Sequence, residues 1–185
     1  PSRRRFPTRM AMLWESTPLE RIWPGNPWLR RYRCADRPAD QAQPVGWLVG
    51  AALLVRSAAI VRAGLLDERF FMYSEELEWQ ARLQGRRASA DHTSAIAYLP
   101  DAAIIHYEGK SSEQAIIRRH VNFQRSKLLL ARMWFGWRFA ALLRAALRLG
   151  YLYEIVVELL KLILGHRPDL RRQRIKVYRE TIREL

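Results

Sequence analysis

The chain has 185 residues, 49% of them apolar and 27% charged, which excludes a disordered protein and suffices for a domain core. A single cysteine, Cys34, excludes internal disulfides and thiolate metal clusters and suits a reducing cytoplasm. The formal net charge of +14 favours an anionic partner, whether nucleic acid, acidic lipid or a phosphorylated substrate, without choosing among them.

Residues 1–44 are rich in proline and arginine, and we expect an irregular arm here. Six prolines would interrupt regular elements: Pro7, Pro18, Pro24, Pro27, Pro38 and Pro44. The pattern predicts one short helix in the arm, at Arg9–Trp14.

Residues 45–112 alternate short apolar runs with helix signals, which predicts part of an α/β layer. The apolar run over residues 45–55 contains two glycines and predicts a buried strand. Residues 70–73 predict an aromatic extended segment whose two phenylalanines, Phe70 and Phe71, lie in the core. Residues 96–99 and 102–106 predict two further short strands.

Two helices are predicted between these strands. Ser57 can cap a helix that runs to Ala63, and the glycine after it is expected to end the helix. Ser74 predicts the cap of a second helix over residues 75–84, which Gly85 ends.

Residues 113–185 are helical by pattern, with Gly136, Gly150 and Gly165 as expected breaks. No run of 18 uncharged apolar residues occurs, so no perpendicular membrane span is predicted. The polar positions between residues 139 and 164 fall in an arc of roughly 140°: Arg144, Arg148, Glu154, Glu158 and Lys161. The wide apolar remainder and the basic residues 167–179 after it predict an amphipathic region lying in a membrane interface.

Four sequence blocks follow one another in residues 45–112. They are Gly-Ala at 50–51, Gly-Leu-Leu-Asp-Glu-Arg-Phe-Phe at 64–71, Ser-Glu-Glu-Leu-Glu-Trp-Gln-Ala-Arg at 74–82 and Pro-Asp-Ala-Ala-Ile-Ile-His-Tyr-Glu-Gly-Lys-Ser at 100–111.

In this order the blocks resemble the second half of the GT-A domain of family 2 glycosyltransferases, especially the rhamnosyltransferase-like members of polysaccharide pathways. Residues 2–8 also resemble the segment that follows the family's metal-binding strand. The resemblance implies an α/β fold: a partial GT-A (nucleotide-diphospho-sugar transferase) domain followed by a mostly helical, membrane-interfacial C-terminal region. Its acceptor-side half would lie at residues 45–112.

The resemblance also implies roles for the acidic residues of the second predicted helix. Glu76 occupies the family's general-base position, where Asp is usual, and would take the proton of an acceptor hydroxyl in an inverting transfer. Glu75, Glu78 and Arg82 would line the substrate site, with Arg82 anchoring the acidic loop. A structural role stays open, because carboxylates are stabilised at a helix N-terminus and Glu78 is spaced to pair with Arg82.

Further site residues lie at the end of the last predicted strand. His106 matches a position that in related GT-A enzymes can help hold the divalent cation or the diphosphate, so it is the candidate metal ligand. Lys110 and Ser111 would contact phosphate oxygens.

Trp47, Gly50 and Tyr73 complete the candidate substrate-binding set. The two aromatic side chains suit a sugar-stacking or acceptor wall, and core packing is an equally good explanation for both.

The sequence has no Asp-x-Asp motif and no Gly-rich phosphate loop. The resemblance puts such residues upstream, so we expect a fragment that lacks the donor-binding half and is inactive alone. The complete enzyme would use a nucleotide-sugar donor and a divalent cation, Mg²⁺ or Mn²⁺, and would glycosylate a glycan or lipid-linked acceptor in polysaccharide or cell-wall biosynthesis. We expect a peripheral protein on the anionic, cytoplasmic face of a membrane, with the oligomeric state open.

Two other classes of function remain. A basic helical nucleic-acid-binding protein is favoured by the net charge, but its arginines are dispersed and no helix-turn-helix, zinc or RNA-recognition signature appears, so no nucleic-acid partner is predicted. A membrane-anchoring or scaffold module without catalysis is the other class, and it would be favoured if Glu76→Gln in a full-length chain left sugar transfer intact.

Overall fold

The computed structural model describes residues 2–85, 95–105 and 116–185. The chain forms two compact units. The first comprises Pro1–Ala11 and Gly25–Tyr107, and the second comprises Met12–Pro24 and Glu108–Leu185. The predicted three-segment boundaries at residues 44 and 112 stay a prediction.

Within those ranges the chain forms eight helices and four short strands. The helices are α1 (Arg9–Trp14), α2 (Pro18–Ile22), α3 (Pro27–Tyr32), α4 (Ser57–Ala63), α5 (Glu75–Leu83), α6 (Ile116–Phe135), α7 (Trp137–Ile163) and α8 (Pro168–Glu184). The strands are β1 (Arg3–Arg4), β2 (Gln43–Val45), β3 (Trp47–Leu48) and β4 (Ile96–Tyr98).

The strands of the first unit form two antiparallel pairs, β1 with β3 and β2 with β4. Gly46 lies where the chain passes from one pair to the other, and a Cβ there would come within 2.6 Å of the Phe6 backbone nitrogen. Only glycine fits this approach.

Two strand predictions were wrong. The buried strand over residues 45–55 ends at Leu48, because the chain turns at residues 50–52, and Leu54 is fully exposed. Residues 102–105, the described part of the strand predicted after Pro100, form no strand either. The strand predicted at residues 96–99 is confirmed as β4.

The arm is more regular than predicted. The helix at Arg9–Trp14 is confirmed, but Pro18 and Pro27 begin α2 and α3 rather than interrupting them. Proline suits the first turn of a helix because its missing N–H needs no partner there. At α3 the Asn26 side chain accepts a hydrogen bond from the Leu29 N–H at 2.9 Å and caps the helix.

One face of α5 is bound to the segment that contains β3 by two glutamine side chains, which we call the amide ladder (Gln80 and Gln84). The Gln80 Oε1 accepts from the Leu48 N–H at 2.8 Å, and its Nε2 donates to the Leu48 carbonyl at 2.7 Å. One turn further on, the Gln84 Nε2 donates to the Val45 and Gly46 carbonyls at 3.1 and 3.0 Å. The ladder fixes both the distance and the rotation of α5 relative to residues 45–48.

Another face of α5 holds the end of α4. The Trp79 Nε1 donates to the Gly64 carbonyl at 2.7 Å, and the Arg82 guanidinium donates to the Leu65 carbonyl, also at 2.7 Å. Arg82 is itself paired with Glu78, whose side chain is only 1% exposed, at 2.8 Å. Gly64 ends α4 with a φ of +74°, as its predicted role as a helix stop requires.

In the second unit, α6, α7 and α8 pack around buried leucines such as Leu130, Leu143 and Leu147. Gly136 and Gly165 separate the helices as predicted. The predicted break at Gly150 was wrong, because α7 continues through it. The glycine has a packing role instead, since a Cβ there would lie 3.0 Å from the Pro18 ring of α2.

The distribution of buried and exposed side chains on α7 differs from the predicted amphipathic pattern. Two carboxylates of the predicted polar arc, Glu154 and Glu158, are 5% and 0% exposed, whereas Leu152, Leu160 and Ile163 are 51%, 57% and 80% exposed. Glu158 accepts from Arg171 of α8 at 2.9 Å. The helix therefore buries paired charges and leaves leucines outside. No helix in the described ranges is long and apolar enough to cross a membrane.

The amide ladder gives the first testable prediction. Gln80→Ala removes three side-chain hydrogen bonds, two to the Leu48 backbone and one to the Glu76 carbonyl. It leaves the Leu48 N–H and carbonyl without these partners, so we expect the free energy of unfolding to fall by about 2–3 kcal/mol. Urea unfolding of the chain, followed by tryptophan fluorescence, measures the change. The control Gln41→Ala removes an exposed amide and should change stability by less than about 0.5 kcal/mol. Equal effects of the two substitutions would contradict the ladder.

Candidate active site

The side chain of Glu76 lies directly against Gly50 in the first unit. Glu76 precedes Gln80 by one helical turn on the same face of α5, so the amide ladder that binds Leu48 also directs Glu76 towards the turn at Gly50. A Cβ on Gly50 would lie 3.3 Å from the Glu76 Cγ and 3.7 Å from its carboxyl carbon. The structure thus brings together two of the predicted site residues, from the first and third sequence blocks.

The pKa of Glu76 is raised above the ordinary glutamate value. Burial of the carboxyl group is the largest cause, because it disfavours the charged form, and the negative charge of Glu75 adds to it. Backbone N–H groups, including that of Gly50, stabilise the carboxylate and oppose part of the rise. The net result is a carboxyl group that holds a proton more readily than an exposed glutamate does.

Each of the two carboxyl groups at the start of α5 has a buried oxygen that accepts no hydrogen bond from the described residues. In the part of the chain that the structure describes, the Oε2 atoms of Glu75 and Glu76 accept no hydrogen bond. Buried polar atoms of this kind are rare, and each calls for a physical explanation. A hydroxyl group that entered beside Gly50 would find an acceptor there.

The backbone just before α5 is strained. Tyr73 and Ser74 have φ angles of +71° and +67°, a region that residues with a Cβ seldom adopt. Two predictions are therefore wrong: residues 70–73 are not extended, and the Ser74 side chain makes no capping hydrogen bond. Such strain costs about 1–3 kcal/mol per residue and clusters at functional sites. Here it sets the direction in which the chain enters the acidic turn.

The strained turn also separates the two phenylalanines that were predicted to share the core. Phe70 is 5% exposed and packs inside, as predicted, whereas Phe71 is 83% exposed. The prediction for Phe71 fails because the chain bends at residues 71–74 instead of running on as a strand.

Several predicted site residues have structural partners, and their predicted roles in substrate binding stay predictions. Trp47 is 8% exposed, and its Nε1 donates to the Arg5 carbonyl at 3.0 Å, which favours the core role that was left open for it. Glu78 and Arg82 form the predicted pair that holds the end of α4. Tyr73 is half-buried in the strained turn.

Three candidates lie outside the described residues: His106, Lys110 and Ser111. The roles predicted for these three residues therefore stay predictions. Within residues 2–85, 95–105 and 116–185, no three histidine, cysteine or carboxylate side chains converge to hold a metal ion. The candidate ligand His106 lies outside these ranges, so the divalent cation that the resemblance implies stays a prediction.

Gln80 and Gln84 are the positioning residues that sequence analysis missed. A usable signal was present, since Glu76, Gln80 and Gln84 recur every four residues on one face of the helix. Long amides at such spacing can bind an adjacent backbone through both their donor and their acceptor.

Comparison with known proteins also relates the chain to a glycosyltransferase. The chain is 40% identical over 91 residues to N-acetylglucosaminyl-diphospho-decaprenol L-rhamnosyltransferase of Mycobacterium tuberculosis, in strain CDC 1551 / Oshkosh and in strain ATCC 25618 / H37Rv. The match covers 49% of this chain and 27% of each relative. No protein-family model and no solved structure matches the chain. Over about half its length, the chain is related to a glycosyltransferase.

Proposed function

We propose that these residues form the acceptor side of an inverting glycosyltransferase of family 2, in which Glu76 is the general base. The observation that carries the proposal is the half-buried Glu76 side chain against Gly50, with a raised pKa and a buried oxygen that accepts no hydrogen bond from the described residues. The 40% identity to a rhamnosyltransferase supports the reaction class. A partial GT-A fold is part of the proposal.

The proposed reaction is a single displacement at a sugar's anomeric carbon. An acceptor hydroxyl hydrogen-bonds to Glu76, and its oxygen attacks the anomeric carbon from the face opposite the leaving nucleoside diphosphate. The new C–O bond forms as the bond to the diphosphate breaks, and the hydroxyl proton passes to Glu76. A base works best when its pKa approaches the working pH, so the raised pKa of Glu76 suits this role.

The partners of the reaction are proposed from the resemblance and the relatives. The name of the mycobacterial relatives describes a rhamnosyl transfer to N-acetylglucosaminyl-diphospho-decaprenol, a lipid-linked sugar. By that likeness we propose a nucleotide-sugar donor and a lipid-linked diphosphate acceptor, met at the cytoplasmic face of the membrane. We also propose a divalent cation in the complete enzyme, held by residues outside the described ranges. No step of the reaction given above depends on that cation.

The proposed function gives three predictions, of which one concerns the 185 residues alone. We expect no sugar transfer from the purified chain, because its sequence has neither an Asp-x-Asp motif nor a Gly-rich phosphate loop to bind a sugar diphosphate. The assay offers labelled nucleotide sugars and a polyprenyl-diphosphate sugar acceptor and measures labelled lipid. Transfer above a no-protein control would refute this expectation.

The second prediction concerns Glu76 in a longer protein that joins these residues to a donor-binding domain. Glu76→Gln keeps the size of the side chain but removes the base, so we expect kcat to fall by about 10²–10⁴-fold. Glu68→Gln, in an exposed turn, is the matched control and should retain activity. An active Glu76→Gln enzyme would exclude the proposed base and favour a module without catalysis.

The third prediction follows from the sign of the Glu76 pKa shift. Because its folded-state pKa is above the unfolded-state value, Glu76 contributes stability that is present below the unfolded value and is lost as pH rises through the folded value. The melting temperature of Glu76→Gln, relative to the parent chain, should therefore increase between pH 4 and pH 8. The control Gln41→Ala removes no titrating group and should show a constant difference. A difference for Glu76→Gln that falls with pH would contradict the shift.

A further inference from the structure

A groove of roughly 400 Å³ runs between α7 and α8 in the second unit. Its floor is apolar, and its rim is cationic. Leu159, Leu162 and Ile175 form the floor. Four cations of α8 and one carboxylate form the rim: Arg172, Lys176, Arg179, Arg183 and Glu180.

The rim cations recur at intervals of four, three and four residues, so they form one continuous stripe along α8. All four are exposed. Among the described residues, Arg172 pairs with Asp169 at 3.8 Å and Arg183 pairs with Glu180 at 3.1 Å. Both partners are exposed and belong to α8 itself, and such pairs contribute little. Lys176 and Arg179 have no carboxylate partner in the described part of the chain. The stripe therefore keeps most of its positive charge for a ligand.

Two other arginines of α8 stabilise the helix packing and do not belong to the groove. Arg171 and Arg174 face α7 and pair with the buried Glu158 at 2.9 and 3.3 Å. That carboxylate is therefore neutralised inside the bundle. The cations of the groove are a second set, which the fold itself does not use.

The apolar floor adjoins an exposed apolar surface of α7. Leu159 and Leu160 are 42% and 57% exposed, and Ile163 and Leu164 are 80% and 81% exposed. Exposed apolar side chains gain about 25 cal/mol per Å² when they leave water, and a soluble phosphate or a nucleic acid would leave these leucines in water. A lipid would cover them and place its phosphate at the cations.

We propose that this groove binds the phosphate end of an anionic lipid, with α7 lying in the interfacial layer of the membrane. The rim cations would hold phosphate oxygens, and Leu159, Leu162 and Ile175 would contact the first carbons of the lipid chains. That this lipid is the carrier of the sugar acceptor rests on the proposed function. The binding itself needs no sugar transfer.

The test is flotation of the chain with vesicles. Vesicles of phosphatidylcholine alone, of phosphatidylcholine with phosphatidylglycerol, and of phosphatidylcholine with phosphatidic acid at the same mole fraction are compared. We expect binding to the phosphatidic acid vesicles to be tightest, because a terminal phosphate offers more charge and more acceptor oxygens to the rim. The double variant Lys176→Gln, Arg179→Gln should lose roughly fivefold per cation in binding to these vesicles.

The matched control is Arg144→Gln, Arg148→Gln, which removes two exposed cations of α7 that lie eleven or more residues from Leu159. It lowers the net charge equally and should retain the preference for phosphatidic acid. If both double variants lose that preference to the same extent, the binding is general charge attraction and the groove site is wrong.

Two further measurements identify the ligand. Inorganic pyrophosphate should compete only weakly with vesicles for binding to the chain. Full competition would mean that the groove binds a soluble anion, and it would overturn the lipid proposal. A polar variant of the floor, Leu159→Gln with Leu162→Gln, should also weaken vesicle binding, and unchanged binding would likewise overturn it. Glu76→Gln should leave vesicle binding intact, so a failed transferase proposal and a failed lipid site give different results.

Discussion

The two hydrogen bonds between the Gln80 side chain and the backbone of Leu48 are the contact on which the candidate site depends. They join α5 to β3 without a strand partner, and Gln84 continues the contact for one more turn. Because Glu76 lies one turn earlier on the same helical face, this contact determines that its carboxyl group meets Gly50. The proposed base is thus positioned by neutral amides. Burial of its carboxyl group raises its pKa, and backbone N–H groups offset only part of that rise.

In the second unit, charged side chains are buried and apolar side chains are exposed. Glu158 is buried and paired with Arg171, so the interior of the three-helix bundle carries an ion pair that a simpler core would not need. Leucines and isoleucines occupy the outside of α7, beside a cationic stripe on α8. This arrangement is costly in water alone, and that cost supports our proposal that an anionic lipid covers that side.

Sequence reasoning predicted α4, α5 and the helical character of residues 116–185, because glycine stops and apolar periodicity act locally. It failed where tertiary contacts decide the structure. The break predicted at Gly150 is absent, because the helix continues there and the glycine leaves room for Pro18. The extended segment predicted at residues 70–73 is absent too, because Tyr73 adopts a strained φ that no local preference favours. For the site, the motif pattern selected Glu76 and Gly50, but the amides that position Glu76 were not recognised.

The central claim is that α5 holds the Glu76 carboxyl group in a buried place against Gly50, where it keeps its proton to higher pH than usual. A carbon-13 NMR titration of that carboxyl group in the intact chain tests it most directly, with Gln80→Ala as comparison. The account predicts a pKa above the ordinary glutamate value, moving back towards that value when Gln80 is replaced. A pKa at or below the ordinary value in the parent chain would contradict it.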